Sequence, residues 1–157
     1  MKPQDIFIAN IKDAAIASAA ITKIPASFTV AEAALESAWG TSLLATNGKN
    51  LFGVKADSSW TGNTMSIRTR EWFTGRWVSV DALWRKYPDW AGSIADHAKF
   101  LTTNKRYAPA FLTTNVADFT AAVHKAGYAT DPTYTQKIMS VIRSNHLEVL
   151  DNVSKIE

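Results

Sequence analysis

The stretch AEAALESAWG, residues 31–40, places one carboxylate, Glu36, in a run of small and apolar residues that ends in Trp39 and Gly40. Alanines and Leu35 favour a helix, and Gly40 is a natural stop. Helical spacing puts Glu32, Glu36 and Trp39 on neighbouring positions of one flank, because residues three and four apart face the same way. Glu32 reads as an ordinary helix-face carboxylate. Glu36 has two readings. It is either a solvated surface glutamate, the fate of most helical glutamates, or a carboxyl beside an aromatic wall, where poor solvation raises the pKa and keeps a proton available near neutral pH.

Outward from this helix, which the pattern predicts over about residues 27–39, the chain alternates helical and extended texture. A first helix is predicted from Pro3, whose fixed φ suits a first helical turn, to the region before Pro25, with Ile8, Ile11, Ala15 and Ala19 as its packing stripe. TSLLATNGKN (41–50) reads as a short helical turn closed by Asn47-Gly48. MSIRTREWFTGRWVSVDALWRKY (65–87) is rich in β-branched and aromatic residues and is broken by Thr74-Gly75, which predicts a hairpin or small irregular sheet of open register. Helices resume in WAGSIADHAKFL (90–101), where Ile94, His97, Ala98 and Leu101 fall at i, i+3, i+4 and i+7. Another spans about 116–125, with Asn115 as N-cap and Gly127 past its end. In TDPTYTQKIMSVIRSNH (130–146) Asp131 is the expected cap and Pro132 the first turn of a last helix, with Ile138, Val141 and Ile142 facing inward. The sum is an α+β, mainly α, single domain over residues 1–157. Its β lobe, at about 65–87, is expected to form one wall of a cleft, as insertions of this kind between helices often do.

Composition removes several chemistries. A chain of 157 residues with 46% hydrophobic content builds its own core. It has no cysteine, hence no disulfide framework, thiolate nucleophile or zinc knuckle. No Gly-x-Ser-x-Gly elbow or phosphate-cradling loop occurs. His97, His124 and His146 lack metal-ligand spacing, so neither a metal nor a cofactor is expected. The N-terminal segment carries Asp5, Asn10, Lys12 and Asp13, which break any apolar core of a signal peptide, and no stretch is long enough for a membrane span. A net charge of +3 with a pI near 9.2 is a mild bias toward anionic partners. No helix-turn-helix or zinc-finger pattern supports nucleic-acid recognition.

Acid and base work by carboxylates is what remains. Glycosidic bonds are cleaved by a carboxylic acid that protonates the leaving oxygen, commonly with a second carboxylate as base, nucleophile or stabiliser. The candidates for that second group are Glu71, in TREWF beside Trp72, and Asp81 and Asp96. Glu71 stands where a facing wall would put it, or is an exposed strand glutamate; Asp96, next to His97, is also a candidate for a structural hydrogen bond. Trp72, Trp77, Trp84, Tyr87 and Trp90 crowd one short region, with Trp39 and Trp60 before it. Indole faces pack well on sugar rings, although the core claims many of them.

The segments AEAALESAWG, NLFGVKA (50–56), TREWFTGRWVSVDALWRKYPDWAGSIADHAKFL (69–101), NKRYAPAF (104–111) and KAGYATDPTYTQKIMSVI (125–142), in that order, resemble glycoside hydrolase family 73, the peptidoglycan N-acetylglucosaminidases. The resemblance covers about residues 24–142. It implies a lysozyme-like α domain with a β lobe across a substrate cleft, Glu36 as general acid, Glu71 on the lobe as a second glutamate needed for full activity, and Asp96 and Tyr128 as further residues of the active site. Trp39, Phe52, Trp72 and Trp84 are the expected substrate-binding residues. Ala38 departs from a glycine common in the family and is expected to be harmless.

The expected reaction is cleavage of the N-acetylglucosaminyl-β-1,4-N-acetylmuramic acid bond of peptidoglycan by a monomer. Glu71 acts as base in an inverting reaction, which needs carboxyls roughly 6.5–9.5 Å apart, or the substrate's own N-acetyl group assists. A muramidase or lytic transglycosylase cutting the other glycan bond, and a peptidoglycan-binding module without catalysis, are the alternatives. Action in the periplasm or cell wall without a signal peptide implies release by lysis, as for an endolysin, or transfer by a secretion machine. In the latter case a cleft-blocking immunity protein is the expected partner.

Overall fold

The computed structural model describes residues 1–155. Helix α1 (Pro3–Thr22) begins with Pro3 at its first position and an Asp5 carboxylate that accepts from the Lys2 backbone N–H, and Lys23 ends it in the left-handed region at φ 69°. Its buried stripe is Phe7, Ile11 and Ala15, at i, i+4 and i+8. Ile8 and Ala19, expected inside, lie at the margin of the core. The reason is aromatic packing: the Phe7 ring meets Trp39 at 5.9 Å and Trp90 at 5.6 Å, both edge to face.

Helix α2 (Ala26–Glu36) is the centre of the molecule. Every residue from 26 to 34 is buried, so it is covered on all sides, by α1, by α5 (Val116–Lys125), by α6 (Tyr134–Ser144) and by a terminal 3-10 helix (Leu147–Lys155). Its alanines let these elements approach closely. Pro25 precedes it and offers no side-chain cap. The cap comes instead from the other end of the chain: Asp151 accepts the Ser27 backbone N–H at 2.9 Å and the Ser27 hydroxyl at 2.5 Å.

The far end of α2 departs from the expectation that it reaches Trp39. It stops at Glu36, after which Ala38 (φ 50°), Trp39 (φ 58°) and Gly40 (φ 79°) are all left-handed. Ser37 fixes this turn, its hydroxyl donating to the Ala33 carbonyl at 2.6 Å and accepting from the Gly40 N–H at 2.8 Å. Gly40 is obligatory, since a Cβ there would sit 2.8 Å from the Phe7 ring. Ala38 in this region explains why glycine suits the position: a left-handed L-residue costs roughly 1–2 kcal/mol.

A short helix α3 (Leu43–Asn47) leads to the loop 48–63, which carries the hairpin β1 (Thr64–Phe73) and β2 (Arg76–Arg85). Thr74 (φ 43°) and Gly75 (φ 83°) form the two-residue turn whose positive φ values match strand twist, and this settles the register as Phe73 opposite Arg76. Alternation then gives one face Met65, Ile67, Thr69 and Glu71 with Val78, Val80, Ala82 and Trp84, and the other Arg68, Arg70 and Trp72 with Trp77, Ser79 and Asp81. Buried Asn50 ties the hairpin to the helices: its amide donates to the carbonyls of Val54 and Arg85, each at 2.9 Å.

Helix α4 (Trp90–Thr103) is capped by Asp89 and buries Ile94, His97, Ala98 and Leu101 as the spacing predicts. A 3-10 helix (Lys105–Leu112) that the sequence pattern does not reveal connects it to α5, which is capped by Asn115 as expected. The last α-helix starts at Tyr134 rather than at Pro132, because Asp131 folds into a local turn, accepting from Thr133 N–H and pairing with Lys137 at 2.6 Å. Ile138 and Ile142 are buried, together with Tyr134 and Met139, and Val141 is only half-buried. No described helix is long and apolar enough to cross a membrane.

Replacing Asp151 by alanine removes the one side-chain cap that the described residues give the central helix and leaves the buried Ser27 hydroxyl without its acceptor. The expected loss is about 1–2 kcal/mol, read as a lowered Tm in thermal unfolding; an unchanged Tm refutes the capping role.

Candidate active site

Glu36 is the last residue of α2, and its side chain leaves the protein where the helix unwinds. It is exposed, yet the wall around it removes enough water to raise its carboxyl above the ordinary value. The loop 51–54 runs alongside. A Cβ placed on Gly53 would lie 3.9 Å from Glu36 Oε2, so glycine at this position (φ 64°) keeps the carboxyl uncovered. Among the described residues, no ion pair reaches it.

One turn earlier, Glu32 overturns the expectation of an ordinary helix-face carboxylate: it is 1% exposed. The flank it shares with Glu36 dips into the core because α2 is enclosed along its whole length up to Ala34. Tyr128 donates its hydroxyl to Glu32 Oε1 at 3.0 Å and Tyr134 donates to Oε2 at 2.8 Å. Burial, then the charge of Glu36, push the Glu32 carboxyl up to about 7, against the lowering effect of the two hydroxyls.

Tyr128 belongs to the connection between α5 and α6, which leaves α5 through Gly127 at φ 95°. Its oxygen lies 2.7 Å from His97 Nε2. Burial holds the His97 imidazole neutral, with its pKa down to about 3. The donors therefore line up in one direction, His97 Nε2–H to the Tyr128 oxygen and the Tyr128 hydrogen to Glu32. Phe52, which is buried, stacks flat on the His97 ring at 3.8 Å. The same burial and the neighbouring Glu32 carboxylate lift the Tyr128 phenol well above its usual range.

The other candidate residues have partners outside this column. Glu71 occupies the hairpin face that carries Trp84, half-buried and 3.7 Å from Lys55 Nζ; such an exposed pair is worth little in free energy. That face turns toward the helices at its base, where the Met65 sulfur would meet a Cβ on Gly48. Trp84 buries its indole N–H with no partner among the described residues, and Lys55 lies 5.5 Å above its ring. Trp72 lies on the opposite face from Glu71, 59% exposed, edge to face with Trp77 at 5.4 Å. Trp39, half-buried, packs edge to face on Phe7.

Asp96 is adjacent to His97 in sequence but points elsewhere. Its Oδ2 accepts from Arg85 Nη1 at 2.8 Å and from the Tyr87 hydroxyl at 2.5 Å, so it joins α4 to the end of β2. Arg85 in turn lies 4.8 Å above the Trp60 ring. Asp81, the remaining carboxylate of the hairpin, pairs with Arg68 on the exposed face.

The structure thus assembles Glu36, Glu32, Tyr128, His97 and Phe52 into one column, adds Tyr134, and sets Glu71 on a separate lobe. Glu32 and Tyr134 escape a reading by residue type; the one signal for Glu32 is its place four residues before Glu36 in a run of alanines. Among the described residues no group of three or more histidine, aspartate or glutamate side chains is arranged to hold a metal ion. A pocket of about 480 Å³, lined by Lys23, Ile24, Phe111, Phe119 and Asp151 among others, opens beside the N-terminus of α2, at the other end of the helix from Glu36.

This arrangement has close counterparts. The chain is 36% identical over 141 residues to the peptidoglycan hydrolase FlgJ of Salmonella typhimurium, covering 87% of this chain and 45% of that protein. It is 35% identical over 133 residues to the exo-glucosaminidase LytG of Bacillus subtilis, covering 82% and 46%. The catalytic domain of the autolysin Auto from Listeria monocytogenes superimposes with a TM-score of 0.86 at 31% identity, over 96% of this chain and 89% of that one. The chain spans about half the length of the curated relatives it matches. The glucosaminidase family, described as mannosyl-glycoprotein endo-beta-N-acetylglucosaminidase, matches residues 12–147, and the chain belongs to that family, glycoside hydrolase family 73.

Proposed function

We propose that this chain hydrolyses the glycan strand of peptidoglycan at the N-acetylglucosaminyl-β-1,4-N-acetylmuramic acid bond, with Glu36 as the general acid. The observation that carries the reading is the state of the Glu36 carboxyl: open to a ligand, free of ion pairs among the described residues, and raised by partial burial. Those are the properties of a group that delivers a proton to a departing glycosidic oxygen. Its pairing with a carbohydrate substrate is supported by the names of the relatives, a peptidoglycan hydrolase, an exo-glucosaminidase and an autolysin.

In this mechanism Glu36 protonates the leaving oxygen as the bond to the anomeric carbon lengthens, and the positive charge that develops on the sugar ring calls for a negative or polar counterpart. Glu71 on the hairpin is that counterpart or the base for the attacking water; its half-exposed position and weak tie to Lys55 leave it free to meet substrate. Tyr128 is bonded to Glu32, one helical turn before Glu36. Asp96 serves at one remove, by fixing Arg85 and the base of β2 against α4. The net positive charge attracts the stem-peptide carboxylates of the glycan, an effect that weakens with salt.

Glu36→Gln keeps the shape and removes the transferable proton. Turnover of purified peptidoglycan is expected to fall by about 10²–10⁴-fold, measured as loss of turbidity clearing, and wild-type turnover in this variant overturns the assignment. Glu71→Gln is expected to slow the reaction less. Inversion in the first-formed product, read by NMR, assigns the attack to water activated by Glu71, whereas retention assigns it to the substrate's N-acetyl group.

Mass spectrometry of the digest is expected to show reducing N-acetylglucosamine ends. Reducing or anhydro-muramic ends place the cut at the other bond, and a blank zymogram makes the chain a binding module.

A further inference from the structure

The outer face of the hairpin takes no part in the reaction described above. Strand alternation puts Glu71 on one face of β1 and β2 and sends Arg68, Arg70, Trp72 and Trp77 to the other. Every residue of that second face, from Thr64 to Trp72 and from Trp77 to Leu83, is exposed, whereas the residues alternating with them, from Met65 to Glu71 and from Val78 to Trp84, are half-buried. The tip stands in solvent as well: a Cβ on Gly75 would meet no atom within 4 Å.

Trp72 and Trp77 flank the turn and meet edge to face, yet each keeps more than half of its surface open. A cross-strand aromatic pair steadies a hairpin, and that accounts for the contact between the two rings. It does not account for their neighbours. The Arg70 guanidinium lies 5.5 Å from the centre of the Trp77 ring and has no carboxylate partner among the described residues. Arg68 beside it is already paired with Asp81, so Arg70 is the surplus positive charge of this face.

Open indole surface next to an unpaired arginine defines a ligand chemistry. Indole covers the apolar face of a sugar ring, and the guanidinium fork takes a carboxylate through two hydrogen bonds. The face continues from Trp72 to Ser66 over ~20 Å at ~3.3 Å per residue, lined by hydroxyls and charges. An anionic bilayer would have to bury those polar groups and meet the negative charge of Asp81, whereas a carbohydrate chain that carries carboxylates matches them. The ribbon is a single layer, so this face lies directly behind the one that carries Glu71.

We propose that the outer face of the hairpin is a second peptidoglycan-binding surface: Trp72 and Trp77 seat sugar rings of a neighbouring strand, and Arg70 takes a carboxylate of its stem peptide. The lobe then stays attached to the polymer through one face while Glu71, on the other, meets the strand being cut. This rests on the reading of peptidoglycan as the substrate.

The test is co-sedimentation with purified peptidoglycan sacculi, using the full chain with Glu36→Gln so that the polymer stays intact, and comparing that parent with Trp77→Val and Arg70→Gln added to it. Valine keeps a strand-favouring side chain at position 77, and circular dichroism checks folding. Each change is expected to raise the Kd for sacculi about 3–10-fold, and Arg70→Gln also to make binding less sensitive to salt. In the active chain the same changes are expected to raise KM on sacculi while kcat/KM on a soluble fragment, long enough only for the Glu36 site, stays at the wild-type value. An unchanged Kd in both folded variants overturns the proposal. An equal loss on the short fragment overturns it too, by placing these residues in the Glu36 site. Binding to phosphatidylglycerol vesicles that the two changes abolish, with sacculi held as before, assigns the face to a lipid surface instead. If Trp77→Val does not fold, Arg70→Gln, which keeps both indoles, decides alone. A wild-type chain that neither binds nor clears sacculi removes the proposed function and this inference with it; clearing by the wild type beside unchanged binding in the variants overturns this inference alone.

Discussion

A carboxylate enclosed in a helical core must be solvated by the protein, and Glu32 sets that requirement for the whole molecule. Its two hydrogen-bond donors lie 96 and 102 residues away in the chain, on the α5–α6 connection and on α6. Hydrogen bonds to a charged group are worth about 1.5–3 kcal/mol each, and leaving the charge buried without them costs more. The late third of the sequence is thereby pinned to α2. The other end of the same helix is pinned by Asp151, which supplies the cap that Pro25 lacks. Glu36 is held at the end of an element fixed at both ends and along its length.

The hairpin is built on the opposite principle. Its strands satisfy each other, their side chains are half-buried at best, and their ties to the helices are concentrated at the base, in Asn50 and in the link from Arg85 to Asp96. A lobe attached in this way presents Glu71 with few neighbouring contacts to restrain it. Under the proposed function, rigidity at Glu36 and latitude in the hairpin lobe suit a site that admits a polymer strand.

Local chemistry was legible in the sequence wherever a short segment decides its own conformation. Thr74-Gly75 announces the hairpin turn, Asn115 the start of α5, and the spacing of Ile94, His97, Ala98 and Leu101 the buried face of α4. What depends on distant partners was not legible. Glu32 and Glu36 share a flank and differ in burial because the elements that enclose α2 up to Ala34, Tyr128 and Tyr134 among their residues, cover one and not the other. Trp72 and Glu71 are adjacent in the chain, and strand alternation sends them to opposite faces, so one cannot flank the other. Asp96 and His97 diverge for the corresponding helical reason, one turning to Arg85 and the other to Tyr128.

The stopping point of α2 adds a last step. A helix continued to Trp39, as its composition allows, would place Glu36 inside a cylinder of satisfied peptide groups. Ser37 and the left-handed run from Ala38 to Gly40 instead make Glu36 the final helical residue, at the carbonyl end of the helix. That end of the helix dipole is negative and disfavours a carboxylate. The dipole and the partial burial act on Glu36 in one direction, and the left-handed backbone at Ala38 is the conformational strain that accompanies this placement.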